Sequence, residues 1–215
     1  MVDIKVIVLD FDGVIVESNN IKHQAFSELF QEYPMHYEKI MAYHLAHNHV
    51  DRHAKFKYIM ENILGQKYNK DLALLWAEKF SEMTRKKIIE CPSVRGAMDF
   101  LECFSGKYPL YLASATPLDE LEIILRGRGL TGYFKEIFGA PMLKKEMFEN
   151  IMRIEKVDSE DILFIGDSLE DQAVADKFGC KFIALTSGSE FGASNSFNNM
   201  LGVTEWFLEK EQITS

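Results

Sequence analysis

Residues 6–14 read VIVLDFDGV, a stretch that decides the fold because it ends an apolar run on two carboxylates. Residues 6–9 are apolar at every position, which is typical of a strand buried on both faces of a parallel sheet. Asp10 and Asp12 follow on either side of Phe11, and Gly13 allows a sharp turn beside them. The pattern predicts a core strand whose carboxyl end carries two acidic side chains.

Three further apolar runs repeat this arrangement. They are residues 110–113 before Ser114, residues 162–165 before Gly166 and Asp167, and residues 182–185 before Thr186. Segments with helical spacing separate them, and the short run 137–138 predicts one more strand. Strands that alternate with helices favour an α/β fold, here a Rossmann-like parallel sheet with right-handed crossovers.

The stretch 17–90 shows helical periodicity without a strand pattern. One apolar stripe has Asp51 as its N-cap and Gly65 as its stop, and it consists of Phe56, Ile59, Met60, Ile63 and Leu64. A second stripe consists of Leu72, Leu75, Trp76, Phe80 and Met83. The stretch carries 10 acidic and 11 basic residues, whereas the rest carries 23 and 13. We therefore predict an inserted helical domain at 17–90 and an α/β core at 1–16 and 91–215.

Composition excludes several classes of function. The 215 residues carry a net charge of -9, which disfavours nucleic acid and anionic membrane surfaces as partners. No apolar run approaches the roughly 20 residues of a membrane span. The three cysteines form no CxxC pair and are interpreted as reduced thiols. We expect a cytoplasmic monomer or homodimer.

Asp10, Asp12, Ser114 and Asp167 all follow predicted strands, and open α/β sheets bind ligands at the carboxyl ends of their strands. A single Asp in such a place more often closes a turn or caps a helix. Here Asp171 adds a further carboxylate, and like charges about 4 Å apart repel by roughly 4 kcal/mol at an effective dielectric constant of about 20. A divalent cation would relieve that repulsion, and ligation by oxygen alone favours Mg²⁺ over zinc.

A carboxylate nucleophile beside magnesium predicts phosphoryl transfer. Asp10 would attack the phosphate and form an aspartyl-phosphate, which splits one difficult hydrolysis into two easier steps. Asp12 would protonate the departing alkoxide and then deprotonate the attacking water. We expect the phosphate donor to be a small organic phosphate monoester.

Phosphate binding is expected from the later motifs. Ser114 offers a hydroxyl and Ala115 a backbone amide. Lys144 would neutralise the phosphate and keep Asp10 ionised. Spacing alone does not separate Lys144 from the neighbouring Lys145, so both remain candidates.

In chain order these motifs resemble those of the haloacid dehalogenase-like hydrolase superfamily. They are DFDGV at 10–14, Ser114 within LASAT at 112–116, Lys144 after GAP at 139–141, and GDSLED at 166–171. The resemblance covers nearly the whole chain. It points to the C1-capped phosphatase subgroup, which is similar to phosphoglycolate phosphatase and β-phosphoglucomutase and has a helical cap inserted just after the first motif.

The resemblance also implies roles for individual residues. Asp10 would be the nucleophile and Asp12 the general acid and base. Magnesium would be bound by Asp10, by the backbone carbonyl of Asp12 and by Asp167. Asp171 would either bind the metal as a further ligand or contact the ligating residues and orient them without binding the metal itself.

The resemblance also limits which reactions of the superfamily this chain is expected to catalyse. Dehalogenases and phosphonatases of the superfamily lack an acid at the position of Asp12. The phosphomutases share both aspartates but typically place a His twelve residues after the nucleophile, where this chain has Lys22 followed by His23. A magnesium-dependent phosphatase is the main hypothesis, and an intramolecular phosphomutase is the alternative. A non-catalytic phosphoacceptor module fits less well with Asp12 and the large insertion.

The cap segment 48–52 reads NHVDR and falls between two predicted helices, where family members often contact the substrate. Arg52 is predicted to bind a second anionic group of the substrate. A surface arginine of the helix is the alternative.

Overall fold

The computed structural model describes residues 4–47, 50–186 and 196–212. The chain divides into two compact units, of which the first joins Met1–Glu17 with Cys91–Ser215 and the second is Ser18–Glu90. The second unit lies within the predicted insertion 17–90. In the described residues, no helix is long and apolar enough to cross a membrane.

The first unit contains a parallel sheet with strand order β3-β2-β1-β4-β5-β6 among the described residues. The strands are β1 Val6–Leu9, β2 Leu110–Pro117, β3 Glu136–Ala140, β4 Ile162–Gly166, β5 Lys181–Leu185 and β6 Ser196–Phe197. The predicted α/β class with a parallel sheet is confirmed. Strand β2 runs through Ser114 to Pro117 rather than ending before it, with an irregular register against β3 between Ala113 and Pro117.

Register brings the predicted site residues to one edge. Leu9 pairs with Leu112 of β2 and with Ile165 of β4, so that the carboxyl ends of three strands align. The Asp10 backbone N–H donates to the Ile165 carbonyl at 2.9 Å and extends this alignment by one residue. Strands β1 and β4 are buried throughout, as expected for apolar runs covered on both faces.

Helices of the first unit cover the sheet. They are α5 Ala97–Phe104, α6 Leu118–Gly127, α7 Lys144–Glu155, α8 Leu169–Phe178 and α9 Met200–Gln212. Met147, Phe148 and Ile151 of α7 pack in one cluster with Val6 and Val8 of β1. Since these helices pack on buried strands, the ends of the strands are held in fixed positions.

The second unit is helical, with α1 Asn19–Phe30, α2 Tyr37–Ala46, α3 Arg52–Tyr58 and α4 Lys70–Glu90 among the described residues. The Asp51 side chain caps α3 by accepting from the backbone N–H groups of His53 and Ala54. The predicted stripe 56–64 continues beyond α3 as a wider π-type turn, Ile59–Ile63. The inward position expected for Leu75 is wrong: it is 47% exposed, because α4 buries the neighbouring stripe through Ala73, Trp76 and Phe80.

Candidate active site

The turn after β1 presents Asp10 and Asp12. Asp10 is buried, and Phe11 between the two carboxylates is fully buried and anchors the turn. Gly13 has φ +75°, a conformation that a side chain would disfavour, and its N–H donates to the Val16 carbonyl at 2.8 Å. The chain therefore reverses directly after Asp12.

The end of β4 supplies Asp167 and, from the first turn of α8, Asp171. Ser168 is the N-cap of α8: its hydroxyl accepts the Asp171 backbone N–H at 3.2 Å and donates to Asp171 Oδ2 at 2.6 Å. A Cβ atom on Gly166 would lie 2.4 Å from the Asp171 Cβ, so only glycine fits at this place. The glycine of the GDSLED stretch thus makes room for a carboxylate that is fully buried.

The start of α7 supplies the cation. Lys144 Nζ lies 3.2 Å from Asp10 Oδ1 and also donates to Asp171 Oδ1. Lys145 instead pairs with Glu149 at 3.3 Å on a side of the helix where both side chains are about half exposed. Of the two lysines left open by the sequence, Lys144 is therefore the one that contacts the carboxylates.

The end of β2 brings hydroxyl groups to the same edge. Ser114 is fully buried, and its Oγ accepts the Thr116 backbone N–H at 3.1 Å. Thr116 Oγ1 donates to Asp12 Oδ2 at 3.1 Å. No role was predicted for Thr116, although residues two apart on a strand, such as Ser114 and Thr116, point to the same side. That alternation was the signal that could have identified it.

Burial dominates the electrostatics of this cluster. Desolvation raises the pKa of Asp10 well above its ordinary value; Lys144 partly offsets this, while Asp171, Asp167 and Asp12 raise the pKa further. For Lys144, desolvation alone would lower the pKa, but the charges of Asp10 and Asp171 outweigh it and raise that pKa. The negative charges exceed the single ammonium, so a bound cation would favour the ionised form of Asp10.

The carboxylates are close enough to share a metal ion. One oxygen each of Asp10, Asp167 and Asp171 lies within 4.8 Å of the others, and all three ligand atoms are hard oxygens of the kind that Mg²⁺ prefers. Asp171 accepts hydrogen bonds on both oxygens, from Lys144 and from Ser168. This favours a supporting role for Asp171, in which it holds Lys144 beside Asp10.

The predicted cap segment 48–52 belongs to the second unit, and the structure describes only part of it. Arg52 donates to Ser81 Oγ at 2.6 Å, and its guanidinium lies over the Phe80 ring at 4.8 Å. Asn48 and His49 lie outside the described residues. Contact between Arg52 and a substrate thus stays a prediction.

Comparison with solved structures finds the same fold in several proteins. A predicted phosphoglycolate phosphatase from Haemophilus somnus 129pt is 17% identical, with a TM-score of 0.72 over 95% of this chain and 99% of that one. YfnB from Bacillus subtilis, bound to magnesium, is 18% identical, with a TM-score of 0.71 over 94% and 97%. CbbY from Rhodobacter sphaeroides, in complex with phosphate, is 19% identical, with a TM-score of 0.71 over 91% and 94%. At these identities the likeness concerns the fold.

Sequence comparison identifies the family. No curated protein matches significantly. The family model for haloacid dehalogenase-like hydrolases matches residues 7–185, which cover β1 from Ile7 onward, β2 through β5 and every motif residue of the cluster around Asp10. The chain therefore belongs to the haloacid dehalogenase-like hydrolase family.

Proposed function

We propose that this hydrolase is a magnesium-dependent phosphatase that cleaves a small organic phosphate monoester through an aspartyl-phosphate on Asp10. The observation that carries the proposal is the contact between a buried carboxylate, Asp10, and a buried ammonium, Lys144, at 3.2 Å beside two further carboxylates. The ammonium favours the ionised form of this nucleophile and partly offsets the effect of burial on its pKa, and a bound cation would favour that form further. The expected partner is a small phosphorylated metabolite in the cytoplasm.

The first half-reaction transfers the phosphoryl group to the protein. Asp10 Oδ attacks phosphorus, the bond between phosphorus and the ester oxygen breaks, and Asp12 gives its proton to the departing alkoxide. Thr116 supports this step by fixing the orientation of Asp12 through its hydrogen bond to Oδ2. Ser114, the Ala115 amide and Lys144 would bind the non-bridging phosphate oxygens.

The second half-reaction returns Asp10. Asp12, now ionised, takes a proton from water, the water oxygen attacks phosphorus, and the bond between phosphorus and Asp10 breaks to release inorganic phosphate. One residue can serve both steps because the proton that Asp12 lost in the first is regained in the second.

The magnesium ion would be held by Asp10, Asp167 and the backbone carbonyl of Asp12. Asp171 would accept from Lys144 and keep it beside Asp10. The ion would supply positive charge against the phosphate oxygens and so reduce their repulsion with Asp10. The structurally similar Bacillus subtilis protein is bound to magnesium and the Rhodobacter sphaeroides protein to phosphate, which supports magnesium as the cofactor and a phosphate group in the substrate.

The test is phosphate release across a panel of phosphorylated metabolites, with magnesium and with EDTA. Asp10→Asn, which keeps the shape of the side chain, should abolish release, and excess magnesium should restore the EDTA-treated wild type. Chromatography of the products separates hydrolysis from the mutase alternative, since a mutase would yield a rearranged ester without free phosphate. Wild-type rates in Asp10→Asn, or full activity in EDTA, would overturn the proposal.

A further inference from the structure

The two connections between the units run side by side within the first unit. The chain leaves this unit after Glu17 and returns to it at Cys91. The Glu17 backbone N–H donates to the Pro92 carbonyl at 3.0 Å, and the Val94 N–H donates to the Ile15 carbonyl at 3.0 Å. Between these bonds, Val16 and Ser93 form an antiparallel bridge. The outgoing and returning segments are therefore one small ladder.

Arg128 binds the returning segment from the end of α6. Its Nη1 donates to the Cys91 carbonyl at 2.8 Å, and its Nη2 donates to Ser93 Oγ at 2.9 Å. The guanidinium is planar and presents its donors in a fixed fork, so one side chain fixes two residues of the segment at once. Loss of Arg128 would remove both of these contacts with the returning segment.

The ladder continues to the catalytic turn. Val16 is bridged to Ser93 on one side and to Asp12 on the other, and its carbonyl accepts the Gly13 N–H. Helix α6, which ends beside Arg128, also begins near the turn. Its first residue, Leu118, follows Pro117, and Pro117 follows the Thr116 that donates to Asp12. Both ends of α6 are thus connected to the turn that carries Asp12.

We propose that Arg128 is a positioning residue for the reaction: by holding Cys91 and Ser93 it fixes the ladder and, through Val16, the Asp10–Gly13 turn. The contacts of Arg128 with Cys91 and Ser93 act on the turn through the ladder. The catalytic part of this inference rests on the proposed phosphatase function, whereas the clamp itself can be tested without substrate.

A matched control is Arg126, which lies in the last turn of α6, two residues before Arg128 at the C-cap of that helix. Arg126 is 71% exposed and pairs with Glu122 at 3.6 Å. Arg128→Met and Arg126→Met therefore make the same chemical change and remove the same charge. Only the first removes the contacts with Cys91 and Ser93. Any effect of net charge alone will be equal in the two variants.

Hydrogen exchange of backbone amides tests the clamp. In Arg128→Met, the amides of Gly13, Glu17 and Val94 should exchange at least about tenfold faster than in the wild type, because local opening of the ladder becomes easier. Arg126→Met should leave them unchanged. Equal exchange in the wild type and Arg128→Met would overturn the inference. Should Arg128→Met not fold, Ser93→Ala removes one of the two acceptors and should accelerate the same amides by about threefold, and unchanged exchange there would likewise overturn it.

Steady-state kinetics tests the consequence for the reaction. Arg128→Met should lower kcat by about tenfold with KM within about twofold, because the phosphate-binding groups Ser114 and Lys144 lie on other elements. Arg128→Lys should recover part of kcat, since one ammonium can replace one of the two donors. An unchanged kcat, or a loss confined to KM, would refute the positioning role. If the wild type releases no phosphate from any substrate, the proposed function fails, while the exchange data still decide whether the clamp exists.

Discussion

His44 should make the stability of the helical unit depend on pH. It is 5% exposed, its ring stacks on Phe26 with centroids 3.9 Å apart, and its Nδ1 lies 3.5 Å from Lys55 Nζ. Burial, followed by the nearby Lys55 and His23, lowers the pKa of His44 to about 3. The folded unit thus requires the neutral imidazole.

The sign and size of the effect follow from linkage. Because the pKa of His44 is lower in the folded state than the ordinary 6.5, the unfolded chain binds more protons between these values, and stability falls as pH falls below 6.5. Each pH unit in that window costs about 1.4 kcal/mol. Between pH 8 and pH 5 the free energy of unfolding should therefore fall by about 2 kcal/mol through His44 alone.

The perturbation is His44→Phe, which keeps a flat ring against Phe26 and cannot take up a proton. At pH 8 the variant should be less stable than the wild type by about 1–3 kcal/mol, because the Lys55 ammonium loses the contact with His44 Nδ1. By pH 5 that deficit should shrink by about 2 kcal/mol. The assay is urea unfolding followed by fluorescence of Trp76, which lies in the core of this unit, in a Trp206→Phe background.

His36→Phe is the control, since it removes a histidine of the same unit from outside the Phe26 cluster. The same urea unfolding experiments on His36→Phe measure the effect of replacing a histidine with a phenylalanine elsewhere in the unit. Parallel curves of unfolding free energy against pH for the wild type and His44→Phe would refute the reasoning, because they would mean that His44 takes up no extra proton on unfolding.

Three further predictions concern the site. Lys144→Met should reduce phosphate release by about 10²–10³-fold, whereas Lys145→Met should stay within about twofold of the wild type; equal losses would contradict the assignment. Thr116→Val should lower kcat about tenfold with little change in KM, measured by initial rates, because Asp12 loses a donor. Gly166→Ala should cost about 3 kcal/mol of unfolding free energy, because its Cβ would overlap Asp171; urea unfolding at neutral pH checks this, and unchanged stability would contradict it.

The fold was largely accessible from the sequence because its central strands β1 and β4 are continuous apolar runs, a pattern typical of parallel sheets covered on both faces. Convergence of Asp10 with Asp167 followed from the rule that ligands bind at the carboxyl ends of parallel strands. Tertiary packing decided the details that local pattern does not contain. Leu75 lies next to Trp76 along α4 but about 100° around it, and only the packing of the neighbouring helices determines which of the two is buried.

Within the site, residue types were predictable but contacts were not. Lys144 and Lys145 are equivalent in spacing, and only the direction in which α7 leaves the sheet separates the one at Asp10 from the one at Glu149. Thr116 was missed because its partner, Asp12, is distant in sequence. The hydrogen bond from Ser168 to Asp171 Oδ2 depends on the N-cap of α8, whose geometry the motif alone does not specify.

The bridge between Val16 and Ser93 also bears on how such a protein can change over evolutionary time. The chain enters the helical unit after Glu17 and returns at Cys91, and these two positions are neighbours in space. In its topology, the helical unit is therefore a long loop between two adjacent segments of the core. Closing a longer loop between fixed ends costs only slowly increasing entropy. One insertion can thus be exchanged for another of different length or shape without altering a strand of the sheet, and specificity can diverge while the chemistry is inherited intact.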